Sequence, residues 1–444
     1  MWRLSVPDVT PAAFRFASPA ESVIPWQAHP VRFGPGATQE IGYEARALGM
    51  TRVLVVTDAN VSATGLPDAV AERLGTYGIE AEVWAGTRAE PTDASIERGL
   101  TDLRDRPAYD GYVAVGGGSS VDTCKLLNLL LTHPAPLTRY LAAPHGEAAA
   151  IPGPLPPIIG VPTTAGTGSE CTPTAVVDLH EQHVKAAVSS PLLRPRLAIV
   201  DPLNTLTMPP AVTAGTGYDA LVQAIESYTA RPYASRPPAA DPSARPAFYG
   251  ANPFCDAFGE PALRLMGRYL RRAVLDGGDL EARYAMSQAA LFSRLGLAGV
   301  HIPHAAGYGV AGTAHAYRPP GYPVDHPMVP HGFSVAVTAP AAIAFVQPAV
   351  PERVDRAAEL LGVPAQARAL DPRRALSDWL RELIADTGGP VTLEHFGLTR
   401  ADLPELVDRT VTQTRLLTCT PRPVGREELT AVFEASFEDG RTAG

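Results

Sequence analysis

At 444 residues the chain is long enough for two domains with filled cores. An apolar content of 45% with 19% charged residues excludes intrinsic disorder, and a net charge of -9 leaves no basic footprint for nucleic acid or an anionic membrane. The partners expected from these values are small molecules.

Residues 1–27 mix Arg3, Asp8, Arg15 and Glu21 with proline and lack the continuous apolar core of a secretory signal. No unbroken run of about 18 apolar residues predicts a transmembrane helix. Cys124, Cys171, Cys255 and Cys419 lie far apart with no C-x-x-C pair, so they read as buried thiols rather than a disulfide frame. Together these features give the expectation of a cytoplasmic protein.

A β-branched strand is predicted over 53–57, a helix over 66–77, a strand over 79–84, a helix over 93–104 and a strand over 111–115, with further strands at 158–161 and 197–200. Such alternation of short apolar strands with helices implies a parallel sheet covered on both faces. Beyond Asp201-Pro202 the spacing turns helical, at 211–229, 261–274, 280–298 and 351–361. Residues 231–253, rich in Pro, Ala and Ser, read as a long ordered loop. The expected architecture is an α/β nucleotide-binding domain over 1–205 followed by a mainly helical domain over 206–444.

Two segments carry nucleotide-binding chemistry. Gly116, Gly117, Gly118 and Ser119 stand between a strand and a helix, where glycine admits close approach of a phosphate and the helix N-terminus offers free N–H groups. Asp122 and Lys125 follow within a turn of the helix. The second segment, Pro162 to Glu170, again follows a strand and places Thr163, Thr164 and Thr167 beside two glycines, as donors for pyrophosphate and ribose. Asp58, at the end of the first predicted strand, is a candidate acceptor for a ribose hydroxyl; it would repel a 2′-phosphate and favour NAD over NADP, and it can equally cap the next helix. Of 37 basic residues only Lys125 and Lys185 are lysine, which singles both out for a functional role.

In the second half Asp219 and Gln223 share a helix face, and five of the eleven histidines fall between His301 and His331.

The glycine turn with Asp122, the Pro162–Glu170 stretch and the run from Lys185 through Ser190-Pro191 to Asp201-Pro202 resemble the iron-containing (group III) alcohol dehydrogenases. Gly217-Tyr-Asp219, Glu226 to Thr229, Arg245 to Pro253, Gly321 to Gly332 and Phe433 to Ser436 look like the hydroxyacid-oxoacid transhydrogenase branch, so that the resemblance runs from about Val31 to Ser436. The resemblance implies that the glycine turn and threonine loop hold the cofactor, with Lys185 near its ribose. It also implies a divalent metal (Fe2+ or Zn2+) on Asp219, His304 and His331, but Gln223 stands where the family usually has histidine. That departure leaves open a weaker three-residue site, glutamine as an oxygen ligand, or no metal. A bound metal would act as a Lewis acid; without it, His304 or His331 would serve as a protonated electrophile. Tyr308 and His315 are proton-relay candidates.

The implied activity is NAD(P)-dependent oxidation of a small hydroxy acid, as in hydride transfer from 4-hydroxybutyrate to 2-oxoglutarate. Reduction of another small anionic aldehyde such as phosphonoacetaldehyde is a second reading, and a nucleotide-binding protein with decayed catalysis a third. A homodimer is a family expectation.

Overall fold

Six parallel strands in the first half need long crossovers, and helices supply them. The computed structural model describes residues 20–438 apart from 25, 183, 243, 244 and 247, so the reading of residues 1–19 lies outside the described residues. Strands β1 (Val31–Phe33), β2 (Arg52–Asp58), β3 (Glu80–Thr87), β4 (Gly111–Gly116) and β5 (Ile158–Pro162) come first in the chain. An antiparallel hairpin of β6 (Thr174–Leu179) and β7 (Val184–Ser189) precedes β8 (Leu197–Val200). The main sheet runs β1-β8-β5-β4-β2-β3, parallel throughout.

Helices α1 (Ile41–Ala47), α2 (Ala59–Ser62), α3 (Leu66–Gly75), α4 (Asp93–Leu103) and α5 (Gly118–Thr132) cover both faces of the sheet. Alternation along β2 decides which side chain meets which helix. Val53 and Val55 pack with Ile41, Ala45, Val70 and Leu74 of α1 and α3. Leu54 and Val56 pack on the opposite face with Leu103, Val121 and Leu127 of α4 and α5. The strand order reverses direction between β2 and β4, and ligands of open α/β sheets bind beyond the carboxyl ends at such a reversal.

The second half is built from α6 (Pro210–Thr229), α7 (Pro253–Leu275), α8 (Leu280–Leu295), α9 (Ile302–Thr313), α10 (His331–Val346), α11 (Pro351–Leu360), α12 (Ala365–Leu370), α13 (Ala375–Asp386), α14 (Leu403–Val411), α15 (Thr414–Leu417) and α16 (Arg426–Ala435). Helices α6 and α10 run through its core. Residues 331–349 are long and apolar enough to cross a membrane by composition, yet 78% of the most apolar window is buried inside the molecule, which makes this segment a core helix.

Two sequence expectations need correction. Helix α7 begins at Pro253 rather than at 261, because the Asn252 side chain accepts from the backbone N–H of Phe254 and Cys255 and Pro253 occupies the first turn; Pro261 lies inside the helix. Helix α8 stops at Leu295, before Gly296, rather than at 298.

Candidate active site

The carboxyl ends of β2, β4 and β5 open into a cavity of about 840 Å³, lined by Asp58, Gly117, Gly118, Ser119, Thr163, Thr164 and Thr167 among others. Gly116 closes β4, and its carbonyl accepts from the Thr163 N–H (3.0 Å), tying the glycine turn to the threonine loop. A Cβ on Gly118 would sit 2.6 Å from Thr167 Oγ1, so this close approach admits only glycine. No side chain caps the N-terminus of α5, so the N–H groups of its first turn stand uncapped beside the cavity that Gly118 and Ser119 line. Asp58 Oδ1 caps α2 through Asn60 and Val61, and the residue also lines the cavity.

The two lysines have different surroundings. Lys125 is fully buried; it donates to Ser169 Oγ (2.7 Å), Ser169 O (2.8 Å) and Thr174 O (2.7 Å) and pairs with Asp122 (3.4 Å). Asp122 in turn accepts from Ser169 Oγ and from Val176 N (3.0 Å). This network fastens α5 to the threonine loop and the hairpin. Lys185, on β7, pairs with Glu90 and with Asp178 (3.0 Å) and lines a second cavity of about 730 Å³. Those two carboxylates raise its pKa against the opposing effect of burial, so it stays charged.

Both cavities are lined by Asp219 and His331, and His304 lines the second. Asp219 stands on α6, His304 on α9 and His331 at the start of α10. Donor atoms of the three residues lie within 4.8 Å of one another. His304 Nε2 is 3.2 Å and His331 Nε2 is 3.7 Å from Asp219 Oδ1. Helices α6 and α10 meet closely enough that a Cβ on Gly332 would lie 1.7 Å from Gly215 O, and that contact delivers His331 to Asp219. Gln223 lies one turn beyond Asp219; its amide nitrogen donates to Ser293 Oγ (3.1 Å).

Tyr308 lines the second cavity with its ring 5.7 Å from that of His331. His315 does not join this site. It is exposed in the turn after α9 and lines neither cavity, because eleven residues beyond His304 is about 16 Å of helical rise away.

Comparison with known proteins decides the family. The model of "Iron-containing alcohol dehydrogenase" matches residues 28–202, and that of the "Fe-containing alcohol dehydrogenase family, C-terminal" matches 247–437. The chain belongs to the iron-containing alcohol dehydrogenase family. It is an oxidoreductase acting on CH–OH groups. The mitochondrial hydroxyacid-oxoacid transhydrogenase of Bos taurus is 41% identical over 413 residues, which is 92% of this chain and 88% of the relative. Among solved structures, 1,3-propanediol oxidoreductase superposes with a TM-score of 0.81 at 30% identity, covering 94% of this chain and all of the other. Sulfoacetaldehyde reductase from Bifidobacterium kashiwanohense, solved in complex with NAD+, gives a TM-score of 0.76 at 25% identity, with coverages of 93% and 99%.

The expectation of a cytoplasmic protein is overturned by the hydroxyacid-oxoacid transhydrogenases at 40–41% identity, which are named as mitochondrial. The sequence reading failed there because a mildly acidic chain with unpaired thiols is compatible with any reducing compartment.

The residues suit the metal for which the family is named. His331 Nδ1 is buried without a hydrogen-bond partner, and His304 Nδ1 is held by Glu226, which leaves His304 Nε2 turned to Asp219. An imidazole oriented by a carboxylate on its other nitrogen is a recurrent arrangement of metal-ligating histidine. Because the Gln223 nitrogen is engaged by Ser293, its carbonyl oxygen is the end left for an ion.

Burial works against charge on all three groups, and their mutual contacts decide the outcome. Asp219 is brought down to about 2 by His331 and His304 despite burial. His304 is lifted to about 9, against burial, by Glu226 and Asp219. His331 is pushed down, chiefly by burial.

Two residues were missed in the sequence. Glu226 is fully buried, accepts from His301 N (2.7 Å) and His304 N (3.2 Å), and stands seven residues beyond Asp219 on the same helix face. That spacing was the available signal. Glu90, which lines both cavities with its backbone at φ +53°, carried no local signal, since only the fold brings it to Lys185.

Proposed function

We propose that the chain transfers hydride between NAD and a small anionic hydroxy acid or aldehyde, and that its paired reaction converts 4-hydroxybutyrate and 2-oxoglutarate to succinate semialdehyde and 2-hydroxyglutarate. The 41% identity to a hydroxyacid-oxoacid transhydrogenase over 92% of the chain carries this reading.

In this assignment Gly116, Gly117, Gly118 and Ser119 cradle the pyrophosphate from the start of α5, and Thr163, Thr164 and Thr167 add donors from the facing loop. Asp58 accepts from a ribose hydroxyl and disfavours a 2′-phosphate. Lys185 binds near the second ribose, held in place by Glu90 and Asp178, and Asp122 keeps the loop and hairpin in register. Asp219, His304 and His331 hold Fe2+ or Zn2+, with Gln223 as a weaker oxygen donor. When bound, the nucleotide supplies a hydride donor and acceptor at nicotinamide C4, and the ion supplies a Lewis acid for the substrate oxygen. Glu226 orients His304, and Tyr308 closes the wall beside His331 and offers a hydroxyl for proton movement toward solvent.

The test mixes the purified protein with 4-hydroxybutyrate and 2-oxoglutarate without added nucleotide. Formation of 2-hydroxyglutarate, with stoichiometric NAD released on denaturation and one equivalent of metal lost in Asp219→Ala, is the expected result. Turnover of an anionic aldehyde only with added NADH would instead support a simple reductase, a second reading favoured by the similarity to sulfoacetaldehyde reductase.

A further inference from the structure

The 730 Å³ cavity that reaches Asp219, His304 and His331 is lined by four arginines. Three of them are engaged by the protein. Arg245 pairs with Glu21 (3.3 Å), Arg194 donates to Gln27 (3.4 Å), and Arg294 donates to the Thr167 carbonyl. Arg415, on α15, differs: its guanidinium lies 5.1 Å over the Phe248 ring, and among the described residues its side chain forms no hydrogen bond or ion pair. Stacking on an aromatic face holds a guanidinium in place while leaving its in-plane donors free.

The wall between Arg415 and the Asp219 cluster is apolar. Val300, Leu416, Phe248 and Tyr308 belong to one packed group, and Tyr308 reaches from it to His331. The cavity thus carries the Asp219 cluster, an apolar wall that runs from Tyr308 beside His331 to Phe248, and on Phe248 a guanidinium with no polar partner among the described residues.

We infer that Arg415 is a specificity-determining residue that binds the distal carboxylate of a short, ω-substituted acid whose hydroxyl or carbonyl group lies at Asp219, His304 and His331. This rests on the anionic-substrate reading above and names the group that enforces it. Charge-assisted pairing of guanidinium with carboxylate provides the selectivity, and the apolar wall accommodates the methylene chain between the two ends.

The experiment compares 4-hydroxybutyrate with 1-butanol, which has the same chain length but no carboxylate, in wild type, Arg415→Ala and Arg415→Lys. Arg415→Ala is expected to raise KM for 4-hydroxybutyrate by about 10–100-fold, the range for losing a hydrogen bond between charged groups, and to leave kcat/KM for 1-butanol unchanged. Arg415→Lys is expected to recover part of the loss. Calorimetric titration with succinate, an unreactive dicarboxylate, should show the same weakening without turnover. Equal losses for both alcohols, or unchanged succinate binding in Arg415→Ala, would overturn the inference. If wild type prefers 1-butanol, the anionic-substrate reading fails and takes the anchor with it. If wild type prefers 4-hydroxybutyrate and Arg415→Ala keeps that preference, only the anchor fails.

Discussion

Gln223 and Glu226 occupy successive turns of α6 beyond Asp219 and affect the same cluster in different ways. Gln223 offers at most an amide oxygen, a poorer donor than imidazole for Fe2+ or Zn2+. Gln223→His is therefore expected to tighten metal binding by about tenfold or more, read as the chelator concentration needed to strip the ion. Glu226→Gln removes the charge that orients His304 and is expected to weaken metal binding by about 10–100-fold. Unchanged metal content and retention in Glu226→Gln would show that His304 needs no such support. His29 gives a pH prediction away from this cluster. Burial, and then the charge of Arg194, push its pKa down to about 4 from 6.5. Between those values the unfolded chain takes up a proton that the folded protein excludes. Stability should fall as pH drops from 6.5 to 4, by about 1.4 kcal/mol for each pKa unit of the shift. His29→Gln should flatten that decline in urea midpoints measured at pH 4.5 and 7.

Helix α5 joins the glycine turn to the buried Lys125 network, so its start and its middle make separable predictions. Gly118→Ala places a methyl where Thr167 already stands, and it should weaken nucleotide affinity far more than it lowers the melting temperature. Lys125→Met removes the cation beside Asp122 and several buried oxygen acceptors. It is expected to destabilise the protein by about 3–5 kcal/mol, seen as a lower thermal midpoint with or without nucleotide. The strands over 53–57, 111–115, 158–161 and 197–200 were legible because buried parallel strands are short unbroken apolar runs. Hairpin β6–β7 was not, although it carries Lys185, because its alternating apolar residues are interrupted by Asp178 and Lys185, which pair with each other across the hairpin. Helices α9 and α10 were not delimited either. Glycine and proline in one, and an apolar surface all round in the other, erase the 3.6-residue stripe.

Across the whole molecule, two cavities on the two sides of Asp219 and His331 join the sheet half to the helical half. A nucleotide bound there at 100 times its Kd should stabilise the protein by about 2.7 kcal/mol, visible as a higher melting temperature with NAD than with NADP. Equal shifts for both nucleotides would remove Asp58 as a discriminator. The sequence by itself determined the α/β class and the change to helices after Asp201, and it marked the glycine and threonine segments, each of them a local pattern. Asp219, His304 and His331 were singled out by the family resemblance, since no local pattern separates them from the other aspartates and histidines. Only the tertiary structure decided that Glu226 supports His304, that Glu90 meets Lys185, that His315 faces away, and that Arg415 stacks on Phe248 in the wall of the 730 Å³ cavity. The contacts among these join residues 78 to 167 positions apart in the chain, and no spacing rule within a helix or strand encodes which distant side chains packing will bring together.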